Sequence, residues 1–309
     1  MRCATPRQIV AVALALFTTL ASIHLATVLH AERDAAVGEF PVDADVEASL
    51  QAVPASASLR LYILDCGTLR NRDAVPYGLS LEQVPPRDLS NVCALVVHPR
   101  GTLLWETGLN ESVNRLAAAA DSRPGRPRAG DHIDRTLASQ LAEIGYEPGR
   151  ISFLALSHAH WDHTGNVRDF LGATWLVQKA ERESIFGTMP LPNQEDFAGI
   201  DRSKAIVLEG DHDVFGDGSV RLILTPGHTP GHQALFVRLP VTGGVILSGD
   251  LYHFAEELTM PLAEGRNAVQ SSASKARIQA LVAETGAQLW IQHDARHFAK
   301  LRKAPEYYQ

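Results

Sequence analysis

An apolar stretch, Ile151–Leu156, runs straight into Ser157-His158-Ala159-His160-Trp161-Asp162-His163-Thr164-Gly165-Asn166, and this junction constrains the 309-residue chain more than any other part of it. Side chains two apart on an extended segment point the same way, so His158 and His160 converge on one point as the strand ends. As the chain turns, Asp162 and His163 aim at a second point beside the first. A lone histidine is usually an ordinary hydrogen-bonding group. Crowding three imidazoles and a carboxylate at the end of a buried strand, however, desolvates them without return unless cations are held between them. The junction therefore predicts a strand whose end carries two adjacent metal positions.

Three later segments repeat the layout, each with a ligand-type side chain just past an apolar strand. Thr225-Pro226-Gly227-His228-Thr229-Pro230-Gly231-His232 follows Val220–Leu224, with glycine and proline fixing a rigid loop around an imidazole. Ser248-Gly249-Asp250 ends the strand that begins at Val245, where a carboxylate can reach both metals. Gln292-His293-Asp294 ends Leu289–Gln292. All four segments are expected to open onto one edge of a sandwich. His98, His132, His212 and His297 read as surface or hydrogen-bonded residues. Three cysteines without CxxC spacing give thiolate zinc chemistry nothing to work with, so any metal is expected on histidine and carboxylate. With 28 basic against 35 acidic residues the formal charge is -7, and no basic surplus exists to neutralise a phosphate backbone; nucleic acid is not an expected partner.

The amino terminus speaks to compartment. Arg2 and Arg7 precede an uncharged apolar run from Ile9 to Leu29, which contains His24, and His30-Ala31 then lead into Glu32, Arg33 and Asp34. Residues 1–31 read as an export signal cleaved near Ala31, with an uncleaved membrane anchor as the alternative. Either way the rest of the chain is expected outside the cytoplasm, periplasmic or secreted. Cys66 and Cys93 remain there, free to pair or to stay as two buried thiols. Residues 32–57 read as a linker, and 58–309 as one domain.

From Leu59 onward short apolar runs alternate with turn signals, the pattern of an α/β chain with more strands than helices. Strands are expected at Leu59–Leu64, Val92–His98, Leu103–Trp105, Ile151–Leu156, Thr174–Val177, Ala205–Leu208, Val220–Leu224, Ala234–Val237, Val245–Leu247 and Leu289–Gln292. The clearest helices are at Ile133–Ile144, followed by Gly145, and at Ala273–Thr285, opened by serines and closed by Gly286. No GxGxxG or GxxxxGK[ST] occurs, which disfavours a nucleotide-binding doubly wound sheet. Asp121–Gly130, with three arginines, reads as a solvated loop whose basic cluster is a minor candidate for an anion contact.

The strings SHAHWDHTGN, TPGHTPGH and LSGD and the late HD are similar to the metallo-β-lactamase superfamily, over essentially the whole chain from Leu59. Within it, DCG at Asp65–Gly67, GTLLWETGL at Gly101–Leu109 and the ending HDARHFAKLRKAPEYYQ resemble the N-acyl homoserine lactone lactonases. The resemblance implies an αββα four-layer sandwich, two mixed β-sheets with helices on the outer faces. It implies that His158, His160 and His228 bind one metal and Asp162, His163 and His293 a second, with Asp250 bridging; His232 supports from behind. Two divalent ions are implied, Zn²⁺ by ligand type, with Mn, Fe or Co also fitting.

The implied function is opening of lactone rings, N-acyl homoserine lactones first among them (quorum quenching), by attack of a metal-bridging hydroxide on the ester carbonyl. Asp162, Asp250 and Tyr252 are the implied catalytic residues. The lactonases usually carry a tyrosine three residues after the bridging aspartate, whereas Tyr252 lies two after Asp250, so it is read either as a substrate hydrogen-bond donor or as a packing aromatic. Trp161, Tyr252, Phe254, Phe186 and Phe197 are candidates for an apolar substrate wall, and Arg70–Leu89 and Phe186–Ile200 for lids. A glyoxalase II-like thioesterase or a β-lactam hydrolase on the same site is the alternative. A mononuclear iron sulfur dioxygenase is disfavoured by the complete second ligand set.

Overall fold

The computed structural model describes residues 58–116, 126–259 and 268–309. The expected export segment, the linker and residues 121–125 of the arginine-bearing loop lie outside the described residues.

Six strands form the first sheet in the order β1 to β6: β1 (Arg60–Arg72), β2 (Arg87–His98), β3 (Gly101–Trp105), β4 (Phe153–Ala155), β5 (Thr174–Gln178) and β6 (Ala205–Leu208). β1 to β3 pair antiparallel and β3 to β6 parallel. The second sheet runs β11-β10-β9-β8-β7, with β7 (His212–Asp213), β8 (Val220–Leu224), β9 (Gln233–Leu239), β10 (Gly243–Leu247) and β11 (Gln288–Trp290). Its pairings are antiparallel except β10 with β11. Both sheets are therefore mixed.

The layering follows from strand alternation. Leu61, Ile63, Ala94, Val96, Leu103, Trp105, Phe153 and Ala155 share one face of the first sheet and pack on Val220, Leu222, Leu235, Val237, Val245 and Leu247 of the second. The intervening residues Tyr62, Leu64, Cys93, Leu95, Val97, Leu104 and Leu154 point to the other face, where Leu137 and Leu141 of the helix Leu137–Glu143 cover them. On the far side of the second sheet, Ile223, Phe236 and Ile246 meet Ile278, Leu281 and Val282 of the helix Ala268–Thr285. Helix, sheet, sheet, helix is the expected four-layer sandwich. Strands buried on both faces read as near-continuous apolar runs, which is why most were recognisable.

Several boundaries differ from expectation. β1 continues to Arg72, because a bulge between Asp65 and Thr68, with Gly67 at φ +124°, lets pairing with β2 resume after alternation breaks. The helix expected from Ile133 starts at Leu137: Ile133 exchanges two hydrogen bonds with the Asn114 side chain, and the Thr136 hydroxyl caps the helix by accepting from the Ser139 amide at 3.1 Å. The last long helix includes Ala268, so its serines are interior residues and not an opening cap. Ser274 donates to the Pro226 carbonyl at 2.7 Å, and Gly227 (φ +142°) lies so close to Ser271 that a Cβ there would fall 2.3 Å from its Oγ. That contact sets the TPGH loop against the helix.

Cys66 and Cys93 form a disulfide, with Cα atoms 5.7 Å apart, joining β1 to β2 beside the bulge. Closing a loop of 27 residues removes unfolded-state freedom worth about 3.5 kcal/mol. The Cys66→Ser, Cys93→Ser double variant is expected to lose about that much stability in a urea titration, with metal content unchanged.

Candidate metal centre

The ligand-bearing segments all leave the same edge of the sandwich. His158, His160, Asp162 and His163 follow β4, His228 follows β8, Asp250 follows β10 and His293 follows β11. Their donor atoms fall into two groups. His158 Nε2, His160 Nδ1 and His228 Nε2 lie 2.8, 2.9 and 3.1 Å from one another, and Asp250 Oδ2 is 3.3 Å from His228 Nε2 and 3.7 Å from His158 Nε2. On the other side, Asp250 Oδ1 is 3.1 Å from His163 Nε2 and 3.0 Å from His293 Nε2, each of which is 3.7 Å from Asp162 Oδ2. One carboxylate thus offers one oxygen to each cluster. Within each ligand set, donor atoms lie within 4.8 Å of one another.

The surroundings test whether cations fit. The His293 ring donates from Nδ1 to the Ser90 carbonyl at 2.8 Å, which leaves the Nε2 lone pair facing inward. His163 turns Nδ1 towards the Glu106 carboxylate at 3.3 Å, and His158 turns Nδ1 towards the Ser157 hydroxyl at 2.9 Å. His163 Nε2 and Asp250 Oδ1 are buried without a hydrogen-bond partner. Buried polar atoms left in this way are costly, and divalent ions would engage both. Burial, aided by the neighbouring imidazoles, holds His158 and His228 well below the ordinary histidine range, so they are neutral donors. Burial works the same way on His163, but Asp250, Asp162 and Glu106 outweigh it and raise its pKa. The geometry and the donor chemistry both suit two divalent ions.

Asp250 is held from behind. Its amide donates to His232 Nε2 at 3.0 Å, while His232 Nδ1 donates to the Thr225 carbonyl at 3.1 Å; burial pushes His232 down to about 3, keeping it neutral. His232 therefore supports the bridge without joining either cluster.

Tyr252 requires a correction as a substrate-facing residue. Its backbone is extended (φ -139°, ψ 134°), so the rings of residues 252 and 253 leave on opposite sides. The Tyr252 ring packs with Ile223, Phe236, Ile246 and Ile278, under the Lys275 ammonium at 4.7 Å. His253 faces the centre instead: its Nε2 is 3.1 Å from Asp250 Oδ2, and its ring stacks on Tyr77 with centroids 3.8 Å apart. Its backbone amide donates to Glu257 Oε1 at 2.7 Å, and Glu257 Oε2 accepts from Lys275 Nζ at 2.8 Å. The offset of three residues from Asp250 was the available signal for His253. Glu106, a buried residue with φ +67°, sits inside the GTLLWETGL string, which carries no sign of the role it takes behind His163.

A cavity of about 370 Å³ opens over the two ligand clusters. Leu69, Pro76, Tyr77, Leu89 and Trp161 supply its apolar wall, and Arg72, Arg126 and Arg128 its basic side. The segment Arg70–Leu89 thus contributes a wall, and Trp161 is the one expected aromatic that lines it. Phe254 and Phe197 are buried in core clusters, and Phe186 packs edge-on against Trp175. No residue of Phe186–Ile200 lines the cavity.

Fold and paired ligand clusters define a metallohydrolase scaffold, and residues 86–287 match the family model of the metallo-beta-lactamase superfamily, to which this chain belongs. Among its relatives, N-acyl homoserine lactonase AttM of Rhizobium johnstonii is 30% identical over 271 residues, covering 81% of this chain and 98% of that protein. The AttM of Azorhizobium caulinodans is 28% identical over 268 residues, again 81% and 98%. A solved structure of a B. thuringiensis AiiA variant with N-decanoyl-L-homoserine bound at the active site superposes with a TM-score of 0.69 at 25% identity, covering 81% of this chain and all of that one.

Proposed function

We propose that this chain is an exported hydrolase that opens the ester ring of N-acyl homoserine lactones at a centre of two divalent ions. The observation that carries the reading is Asp250, whose two carboxylate oxygens face two separate ligand clusters at the floor of one cavity. The relatives named N-acyl homoserine lactonase and the AiiA structure holding N-decanoyl-L-homoserine support the substrate class. The apolar wall formed by Leu69, Pro76, Tyr77, Leu89 and Trp161 suits an acyl chain. The Cys66–Cys93 disulfide, together with the apolar run at the amino terminus, supports a location outside the cytoplasm. Imidazole and carboxylate ligands favour Zn²⁺.

When bound, such ions bring the pKa of a coordinated water towards about 7 and polarise a carbonyl oxygen, so no serine or cysteine nucleophile is needed. The chain's own residues arrange the rest. Asp250 spans the two clusters and fixes their separation, with His232 anchoring its backbone and His253 Nε2 donating to its Oδ2. The cavity wall holds the acyl chain while the ring carbonyl faces the clusters. Asp162, which both lines the cavity and belongs to the second cluster, would take up the proton released as water adds to the ester carbonyl and pass it to the departing alkoxide oxygen when the ring C–O bond breaks.

Ring opening converts a neutral ester into a carboxylate, an alcohol and a proton. Metal-loaded protein is expected to acidify a weakly buffered solution of N-hexanoyl or N-decanoyl homoserine lactone at pH 7. Turnover of thioesters or β-lactams in parallel, with no proton release from lactones of any acyl length, would remove the lactonase reading.

A further inference from the structure

Glu181 lies on the helix Lys179–Ile185 that follows β5, belongs to neither ligand cluster and has no part in the chemistry above. Its side chain is nonetheless buried between the two loops that supply the three imidazoles of the first cluster. Oε1 accepts the amide of Ala159, the residue between His158 and His160, at 2.8 Å. Oε2 accepts the Thr229 hydroxyl at 2.7 Å and the Gly231 amide at 3.0 Å, just past His228. Gly231 is pressed against the same residue: a Cβ there would lie 2.3 Å from the Glu181 nitrogen and 2.5 Å from its Cβ. Burial raises the Glu181 carboxyl above its ordinary range, and three donors with no acceptor converge on it in opposition, an arrangement in which every contact needs a carboxylate oxygen as acceptor.

The two loops belong to different sheets, and 68 positions of chain separate His160 from His228. Their roots are joined where the Gln233 amide donates to the Ser157 carbonyl at 2.9 Å. Beyond that point, the spacing between the HxH loop and the His228 loop has to be set by something that touches both. Glu181 does so, with one oxygen for each loop.

We propose that Glu181 is a positioning residue for the metal centre, a buried carboxylate strut that ties the His158–His160 loop to the His228 loop and so sets the geometry of the three-imidazole cluster. The proposal concerns the ion held by that cluster and stands whatever the substrate. It makes the effect of Glu181 selective: the cluster of Asp162, His163 and His293 takes no hydrogen bond from it.

Glu181→Gln tests this. The amide keeps the shape but presents N–H to a donor, so one loop loses its anchor. Zn²⁺ titration of the full-length chain against a chromophoric chelator is expected to show one ion bound about 10- to 100-fold more weakly and the other unchanged. His228→Ala and His293→Ala serve as references for loss at the first and second clusters. Thr229→Val removes one donor and leaves the carboxylate in place; a several-fold weakening at the same ion, with an unchanged circular dichroism spectrum, is expected, and it decides the matter if Glu181→Gln does not fold. Wild-type affinity at both ions in the folded variants, or equal weakening at both, would overturn the proposal.

Discussion

Asp250→Asn is expected to lower kcat by roughly 10³-fold or more and to reduce bound metal from two ions per chain to one or none, while the circular dichroism spectrum stays that of the folded protein. The amide removes the charge shared by the two clusters and leaves a nitrogen where one of them needs an oxygen. Ions acting as Lewis acids contribute several kcal/mol of barrier lowering, and each 1.36 kcal/mol is tenfold in rate, which gives the expected size. The fold should survive because Asp250 stands just beyond β10, outside the sheet ladder, and its amide still donates to His232. Steady-state kinetics with metal analysis on the same sample checks both parts. Near-normal turnover with two ions retained would take Asp250 out of the bridge.

The second large effect separates neighbours. His253→Phe is expected to reduce kcat/KM by about 10- to 100-fold, the usual cost of losing a side chain that orients a metal ligand. It removes the hydrogen bond to Asp250 Oδ2 and keeps an aromatic ring against Tyr77. Tyr252→Phe, one residue earlier, should stay within about twofold, because that ring is buried in the core behind the second sheet. Kinetics of the two variants side by side, with thermal melts to confirm folding, reads the difference. A large loss in Tyr252→Phe and none in His253→Phe would reverse the assignment.

That pair also shows where a sequence is legible and where it is not. His158, His160, Asp162 and His163 stood out because a short apolar strand delivers them together, and strand alternation is a local rule that needs no tertiary information. His228, Asp250 and His293 each follow a strand in the same way, and the structure brings them to the same edge. Tyr252 and His253 obey the same rule with opposite outcomes, and a displacement of one residue reverses which ring meets the centre. Only the phase of the extended segment after the 3₁₀ turn Gly249–Leu251 decides between them, and sequence does not fix that phase.

The supporting carboxylates were illegible for a different reason. Glu106 and Glu181 act on partners 51 to 57 and 22 to 50 positions away; the GTLLWETGL string contains Glu106 without revealing its partners, and no motif contains Glu181. The early end expected for β1 reflects a bulge that interrupts alternation without ending the strand, and β7, two residues long, has too little pattern to read. The late start expected for the helix Ala268–Thr285 came from reading serines as a cap where packing against Pro226 and Gly227 places them inside. Core strands were legible because burial on two faces demands apolar residues throughout; the site's outer supports were not, because a buried carboxylate is defined by its distant donors.

Anomalous diffraction from crystals of the zinc-loaded chain, recorded at the zinc absorption edge, is the most direct test of the centre. Two peaks about 3.5–4 Å apart, one on each side of the Asp250 carboxylate, are the predicted result. A single peak, or peaks away from Asp250 in a crystal of active protein, would contradict a dinuclear site.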